Sequence, residues 1–170
     1  MNSNKNLVFL GMMGSGKSSI GNLVSKKLGF PFIDMDNLIE KNTGISISEI
    51  FETKGQVYFR NLEEKITLRS LKEIKSVIAL GGGAFINAKI RKEILTNHFS
   101  FWLNWDESTL IKRIKNSKKR PIAFKSTDQE IKTIIKHRSK IYSNAHFRIN
   151  CNKLTKTEII KKIIKIYERN

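Results

Sequence analysis

The segment 11–18, Gly-Met-Met-Gly-Ser-Gly-Lys-Ser, combines residue types that can bind a phosphate group. It fits the pattern G-x-x-x-x-G-K-[ST], in which backbone N–H groups surround an anion and a lysine reaches the β- and γ-phosphates of a nucleotide. Its glycines allow the backbone to turn tightly because they carry no Cβ atom. Lys17 is therefore predicted to bind phosphate, and the Ser18 hydroxyl is a predicted ligand of Mg²⁺. The residues predicted to contact the nucleotide here are Gly14, Ser15, Gly16, Lys17, Ser18 and Ser19.

The chain on either side of this segment can position such a loop. An apolar run, 7–10, precedes it, and a stretch of helical period, 17–28, follows it. The N-terminus of a helix carries partial positive charge, which favours an anion at that end. The alternative is a chance Gly-rich turn, which an eight-residue match between a strand and a helix disfavours. The sequence therefore predicts binding of a nucleoside triphosphate.

Two carboxylates, Asp34 and Asp36, follow the second apolar run. Alternate residues of an extended segment point to the same side, so both carboxylates can face one crevice. Asp34 is predicted to hold Mg²⁺ together with Ser18, because this hard cation takes oxygen ligands. Asp36 is predicted to accept a hydrogen bond from a substrate hydroxyl and to take its proton. The alternative for Asp36 is that it caps a helix beginning at Asn37.

Three glycines, Gly81, Gly82 and Gly83, follow the third apolar run, 77–80. They allow backbone N–H groups to approach a ligand closely. The alternative is a plain turn between a strand and a helix, which needs only one glycine.

The few arginines supply candidate anion ligands. Arg60 precedes Glu63 at the i,i+3 spacing that lets a carboxylate hold a guanidinium on a helix. Arg138 lies in a later helical stretch, and Arg120 lies in the basic, irregular segment 116–126, which is predicted to be a mobile lid. Each arginine alone could be a surface cation. Two arginines on a carboxylate and a third over the transferred phosphate are what a kinase for a small acid requires.

Short apolar runs alternate with longer stretches of helical period, which predicts an α/β fold with three layers, α/β/α, around a parallel sheet. Such sheets bind ligands at the carboxyl ends of their strands. The predicted strands are 6–10, 30–33, 76–80, 99–104 and 146–150. The predicted helices are 17–28, 36–42, 46–54, 57–73, 87–96, 106–115, 127–142 and 155–168. Three helices begin with a capping pattern, so its glutamates, Glu49, Glu130 and Glu158, are predicted to be caps rather than catalysts.

Composition limits the class of protein. A chain of 170 residues that is 39% hydrophobic predicts one globular domain, 1–170. The net charge of +17 allows a nucleic-acid partner, but the charge is mostly lysine spread over every helix, so no specific nucleic acid is expected. The single cysteine, Cys151, excludes an internal disulfide and predicts a packed thiol. Because no run is long and apolar enough to span a membrane and the first strand begins at once, a cytoplasmic protein is predicted. A monomer is expected as well.

The chain resembles the shikimate kinase family over nearly its whole length. The matching motifs are 11–18, Asp34-x-Asp36, Ile50-Phe51 with Gly55, Phe59-Arg60-x-x-Glu63, 81–83, Arg120-Pro121 and Arg138-x-x-x-Tyr142. The resemblance implies transfer of the γ-phosphate of ATP to the 3-hydroxyl of shikimate, a step toward aromatic amino acids. It also implies a P-loop kinase fold, related to the nucleoside monophosphate kinases, with a five-stranded parallel sheet in the order 2-3-1-4-5.

The resemblance implies further residue roles. The shikimate contacts would be Asp36, Arg60, Arg138 and the glycines Gly81–Gly83, supported by helices within about 36–73. The two arginines would hold the carboxylate, and Asp36 would bind the ring hydroxyls. Arg120 would be the lid arginine that neutralises the phosphates, and Arg113 would stack on adenine.

The sequence departs from the family at three places. Gln56 stands where the family has a glutamate, which weakens the expected local support of Arg60. The segment 143–145 is shorter and neutral, and the loop 150–153 matches only loosely. Two alternatives therefore stay open: a kinase for another small polyol acid, such as gluconate, and a catalytically silent protein that binds a nucleotide or nucleic acid.

Overall fold

A five-stranded parallel sheet forms the centre of the fold in the computed structural model, which describes residues 4–116 and 126–170. The strands are β1 (Leu7–Leu10), β2 (Phe32–Asp34), β3 (Val77–Ala79), β4 (Phe99–Asn104) and β5 (Phe147–Asn150). Their order in the sheet is β2-β3-β1-β4-β5, so the predicted order is confirmed. The register places Val8 of the central strand beside Ile78 on one side and Ser100 on the other.

Helices connect and cover the strands. The described helices are α1 (Lys17–Leu28), α2 (Met35–Thr43), α3 (Ile47–Ser70), α4 (Ala88–Asn97), α5 (Glu107–Lys115), α6 (Asp128–Tyr142) and α7 (Lys156–Tyr167), with a short 3₁₀ helix, Ala84–Ile86. Thr127 with Glu130 and Thr155 with Glu158 form complete capping boxes, and Ser46 accepts a hydrogen bond from the Glu49 N–H. The predicted role as caps is therefore confirmed for Glu130 and Glu158, whereas at the start of α3 the capping side chain is Ser46 and Glu49 contributes its backbone N–H.

The core lies on both faces of the sheet. All four residues of β1 are buried, and alternate ones join opposite clusters: Val8 packs with Ile78 and Leu80, while Phe9 stacks on Phe101. A strand that is apolar throughout has both faces covered, as expected in a parallel sheet enclosed by helices. Cys151 is buried in the second cluster, as predicted.

The predicted helix boundaries need two corrections. The predictions 46–54 and 57–73 correspond to one helical segment, α3, which is interrupted at Gly55, where φ is 76°. This left-handed conformation suits glycine and separates the two arms. The second arm ends at Ser70 rather than at 73, because the chain turns there to enter β3.

The arms of α3 are held against α2 by a small cluster of their own, formed by Ile39, Ile50 and Phe59. This packing places α2 and α3 beside the carboxyl ends of β1–β3. Within the described parts of the chain, none of the helices combines the length and apolar character needed to cross a bilayer.

Candidate active site

The phosphate loop lies between β1 and the start of α1. Gly11, Gly14 and Gly16 have φ values of 143°, 78° and 90°, which side chains with a Cβ rarely adopt. Gly16 is the N-cap of α1 and provides no side-chain cap, so the first amides of the helix are left for a ligand. The Lys17 ammonium lies 2.9 Å from the carbonyl oxygens of both Gly11 and Met12. The loop thus makes the tight, glycine-dependent turns that the sequence predicts.

A cavity of about 590 Å³ opens beside this loop. Polar residues from the loop, from β2 and from three helices line it: Ser18, Asp34, Asp36, Arg60, Glu63 and Arg138. Gly82 and Gly83 also line it. Residues that the sequence separates by more than a hundred positions are therefore brought to one site.

Of the two aspartates, the one that caps a helix is not the one considered for that role in the sequence analysis. Asp34, not Asp36, is the N-cap of α2, and its Oδ1 atom accepts a hydrogen bond from the Asn37 N–H at 3.2 Å. The alternative that Asp36 caps a helix beginning at Asn37 is therefore wrong. The helix begins at Met35, which places Asp36 in its first turn, with its carboxylate toward Gly81.

Close packing explains the run of glycines after β3. A Cβ atom on Gly81 would lie 2.7 Å from Glu63 Oε1 and 2.8 Å from Asp36 Oδ1. A Cβ atom on Gly83 would lie 2.5 Å from a nitrogen of the Arg60 guanidinium. A plain turn would not require this, so the glycines make room for charged side chains.

Arg60 is held by a buried carboxylate. Its Nη1 atom lies 2.5 Å from Glu63 Oε2, and the Glu63 side chain is only 3% exposed. Burial raises the pKa of Glu63, while Arg60 opposes that rise and the nearby Asp36 adds to it. Gln56 lines the cavity one turn earlier on α3, so the carboxylate that supports Arg60 is Glu63 rather than a residue at position 56.

Tyr142 has a role that the sequence pattern did not assign. Its buried hydroxyl donates a hydrogen bond to the Gly82 carbonyl, which also accepts one from Arg138 Nη1 at 3.1 Å. Burial raises the pKa of Tyr142 to about 12, so the hydroxyl remains a donor at any physiological pH. The i,i+4 spacing of Arg138 and Tyr142 on α6 was the available signal, since it puts both on one helix face.

Arg113 lies against the outer side of the phosphate loop. Its guanidinium stacks on the Trp105 ring, with its central carbon 3.8 Å from the ring centroid, and donates to the Gly14 carbonyl at 3.3 Å. The predicted lid arginine, Arg120, and residues 117–125 lie outside the described residues.

The comparisons with known proteins agree with this geometry. A model of the shikimate kinase family matches residues 13–168. The chain belongs to the shikimate kinase family. The shikimate kinase of Thermodesulfovibrio yellowstonii is 40% identical over 166 residues, which span 97% of this chain and 96% of that protein.

Solved structures of shikimate kinases show the same fold. The enzyme from Acinetobacter baumannii, in complex with shikimate, has a TM-score of 0.91 at 29% identity, covering 98% of this chain and 94% of the other. The enzyme from Aquifex aeolicus has a TM-score of 0.84 at 35% identity, covering 96% of both chains. The predicted family and fold class are confirmed.

Membership of the shikimate kinase family identifies the reaction class. The chain is an ATP-dependent kinase that transfers a phosphate group to a hydroxyl, in aromatic amino acid biosynthesis. The family favours neither the alternative of a kinase for gluconate nor that of a silent binding protein.

Proposed function

We propose that this chain transfers the γ-phosphate of ATP to the 3-hydroxyl of shikimate, giving shikimate 3-phosphate and ADP. One observation carries the proposal at the level of this chain's own residues: Ser18 of the phosphate loop shares a cavity with two arginines and a carboxylate suited to a small hydroxy acid. A phosphate donor and an acceptor would thereby be held side by side. Holding two reactants in this way removes much of the entropic barrier to their reaction.

Arg60 and Arg138 would bind the carboxylate of shikimate. Both guanidiniums line the cavity, and both are anchored: Arg60 by Glu63 and Arg138 by the Gly82 carbonyl. A planar guanidinium matches a carboxylate through paired hydrogen bonds. Because both guanidiniums are already anchored, they lose less conformational freedom when they bind a ligand. This arrangement therefore favours a rigid, anionic acceptor.

Asp36 would bind the hydroxyl that reacts. Its carboxylate lies beside Gly81 and lines the same cavity as Ser18 and the two arginines. There it would accept a hydrogen bond from the hydroxyl and take its proton as the oxygen attacks phosphorus. In-line transfer then needs no covalent intermediate on the protein.

The phosphate loop would bind the donor. The N–H groups from Gly14 to Ser19 would surround the phosphates, and Lys17 would exchange its carbonyl partners for the β- and γ-phosphate oxygens. Arg113 would stack on the adenine. Arg120, outside the described residues, would neutralise charge on the transferred group.

The residues beside the loop fit a magnesium ion. Ser18 and Asp34 both offer oxygen atoms to the cavity, and one Asp34 oxygen is already held by the Asn37 N–H, which orients the carboxylate. Across the described residues, no cluster of three or more acidic, histidine or cysteine side chains could hold a metal. Mg²⁺ suits such a site, since it usually binds one or two protein oxygens together with phosphates and water. When bound, it would neutralise charge on the phosphates.

A steady-state assay tests the acceptor and its binding residues. Wild-type protein should release ADP from ATP only when shikimate is present, and gluconate should not replace shikimate. Arg60→Ala should raise the KM for shikimate by an amount equal to about 2–4 kcal/mol, because a carboxylate loses a charged partner. Arg69→Ala, at an exposed arginine near the end of the same helix, is the matched control. ADP release that does not depend on shikimate would refute the proposal.

We also propose that one chain suffices for activity, as a single-domain monomer in the cytoplasm. The support is that the residues assigned to the donor and to the acceptor come from one chain. The net charge of +17 would then attract two anionic substrates rather than a specific nucleic acid.

A further inference from the structure

We propose that Trp105 is a positioning residue for the nucleotide, which orients the phosphate loop and Arg113 together. The inference rests on the proposed use of ATP, and it concerns a side chain that has no part in the family motifs described above. Trp105 follows the last residue of β4, Asn104, and precedes Asp106, the N-cap of α5. It therefore stands at the carboxyl edge of the sheet, next to the loop.

The indole of Trp105 is bonded to the phosphate loop. Its Nε1–H donates to the Ser15 carbonyl at 2.9 Å, across 90 positions of sequence. In a planar trans peptide, the C=O and the following N–H point in opposite directions. Because the Ser15 carbonyl points toward Trp105, the Gly16 N–H points away from Trp105. This is the orientation that an amide needs in order to donate to a phosphate inside the loop.

The face of the same indole supports Arg113. The guanidinium carbon lies 3.8 Å from the ring centroid, and Nη1 reaches the Gly14 carbonyl at 3.3 Å. A cation held flat on an aromatic ring is stabilised by the ring's negative face. Arg113 is otherwise exposed, so this stacking and the Gly14 contact give it a defined position from which its outer face can meet a base.

Trp105 is itself well fixed. It is half-buried and packs against both core clusters, so it lies where the two faces of the sheet meet. The next residue, Asp106, caps α5 through Thr109, and its own N–H is held by Asn152. Hydrogen bonds from Ser108 and Thr109 lower the pKa of Asp106 to about 2, so the cap stays charged near neutral pH. A rigid indole can therefore fix the positions of both the phosphate loop and Arg113.

Close packing of α5 against the phosphate loop links the contact of Trp105 with that of Arg113. A Cβ atom on Gly14 would lie 3.2 Å from Arg113 Cβ, so α5 presses directly against the loop. The carbonyls of two successive loop residues, Gly14 and Ser15, are thus both held from the β4–α5 segment. A change at Trp105 should reach nucleotide binding by both routes and leave the shikimate-binding residues in place.

Titration of ADP in the absence of shikimate tests the inference on the full chain. Trp105→Phe keeps a ring for Arg113 but loses the N–H donor, and should raise the dissociation constant for ADP about three- to tenfold, the effect of one hydrogen bond. Trp105→Leu loses both contacts and should weaken ADP further. The KM for shikimate should stay within about twofold of wild type, since a local effect on the loop does not reach the acceptor site.

A second tryptophan, Trp102 on the strand that Trp105 follows, is the matched control. Trp102 is buried against Tyr142 and Arg148, so Trp102→Phe removes the same atoms from the core. It should lower the melting temperature without weakening ADP binding. Arg113→Ala, on the helix surface, should weaken ADP binding, and adding Trp105→Leu to it should cost less than Trp105→Leu alone.

Three results would overturn the inference. One is ADP binding within twofold of wild type in both Trp105 variants, and another is full additivity of Trp105→Leu with Arg113→Ala. The third is a parallel loss of ADP affinity, shikimate affinity and melting temperature, which indicates a merely structural role. If Trp105→Leu fails to fold, Trp105→Phe and Arg113→Ala decide the matter. Weaker ADP binding in a protein that never phosphorylates shikimate would support the inference and refute the proposed function.

Discussion

The glycine at position 83 allows a sharp test of how the acceptor site is built. Gly83 has φ −108° and ψ −13°, an ordinary conformation that alanine adopts without strain. Its missing side chain matters only because a Cβ atom there would lie 2.5 to 2.8 Å from three atoms of the Arg60 guanidinium. Gly83→Ala is therefore expected to displace Arg60 while leaving the backbone unchanged.

The size of the effect follows from the distances. Ordinary contact begins near 3.4 Å, so the guanidinium must retreat by about 0.9 Å from the new methyl group. This breaks the alignment with Glu63, whose carboxylate lies 2.5 Å away. A misplacement of about 1 Å in a binding group can cost up to about a hundredfold. We expect the KM for shikimate to rise about 10- to 100-fold, equal to about 1.4–2.7 kcal/mol.

The assay measures ADP release at saturating ATP over a range of shikimate concentrations. The KM for ATP and the melting temperature should change little, because the backbone conformation at Gly83 is allowed. Gly82→Ala is the matched control: its Cβ would lie 3.4 Å from the Met13 nitrogen and 3.5 Å from Arg138 Nη1, which is ordinary contact. Equal effects of the two substitutions, or an unchanged KM in Gly83→Ala, would refute the steric reasoning.

Three other substitutions test separate parts of the site. Lys17→Ala should reduce kcat by at least about a hundredfold through lost phosphate stabilisation, and turnover near the wild-type rate would contradict this role. Burial raises the pKa of Glu63, so the folded state holds that proton more tightly than the unfolded state. As the pH rises from about 4.5 to the pKa of Glu63 in the folded protein, the free energy of unfolding of the wild type should fall relative to that of Glu63→Gln. Urea unfolding of both proteins at several pH values would measure this fall. A difference between the two free energies that does not change with pH would exclude it. Tyr142→Phe should raise the KM for shikimate about three- to tenfold, because the Gly82 carbonyl loses a donor, whereas a change only in the KM for ATP would count against this assignment.

Local sequence signals predicted the framework well. The apolar runs of β1 and β3 and the glycines of the phosphate loop act over a few residues, so their pattern is visible in the chain itself. β4 was predicted with its observed bounds, 99–104, because its aromatic and aliphatic residues mark a short strand between two helical stretches. The strand order came from resemblance to a family, since pairing between distant strands leaves no local signal.

Contacts between distant residues account for what the sequence did not predict. The Tyr142 hydroxyl meets the Gly82 carbonyl across 60 positions, and the Trp105 indole meets Ser15 across 90. Neither side chain has a neighbour in sequence that reveals its partner.

Asp34 was also predicted only as a metal ligand, although one of its oxygens caps α2. The two roles are compatible, because a carboxylate has two oxygen atoms and several acceptor positions.

The ion pair between Arg60 and Glu63 raises the question of how an arginine that already has an acid partner can bind another acid. Glu63 contacts one nitrogen, Nη1, and a guanidinium carries five N–H donors in a fixed plane. The ion pair therefore uses only part of the Arg60 guanidinium and orients its remaining N–H donors. The Arg60 side chain is 36% exposed and keeps a face toward the cavity. Without Glu63, the two arginines would lose one of the carboxylates that line the cavity with them, which also include Asp34 and Asp36. The buried glutamate thus makes the paired arginines tolerable in the free protein, and its desolvation is the cost of holding them ready.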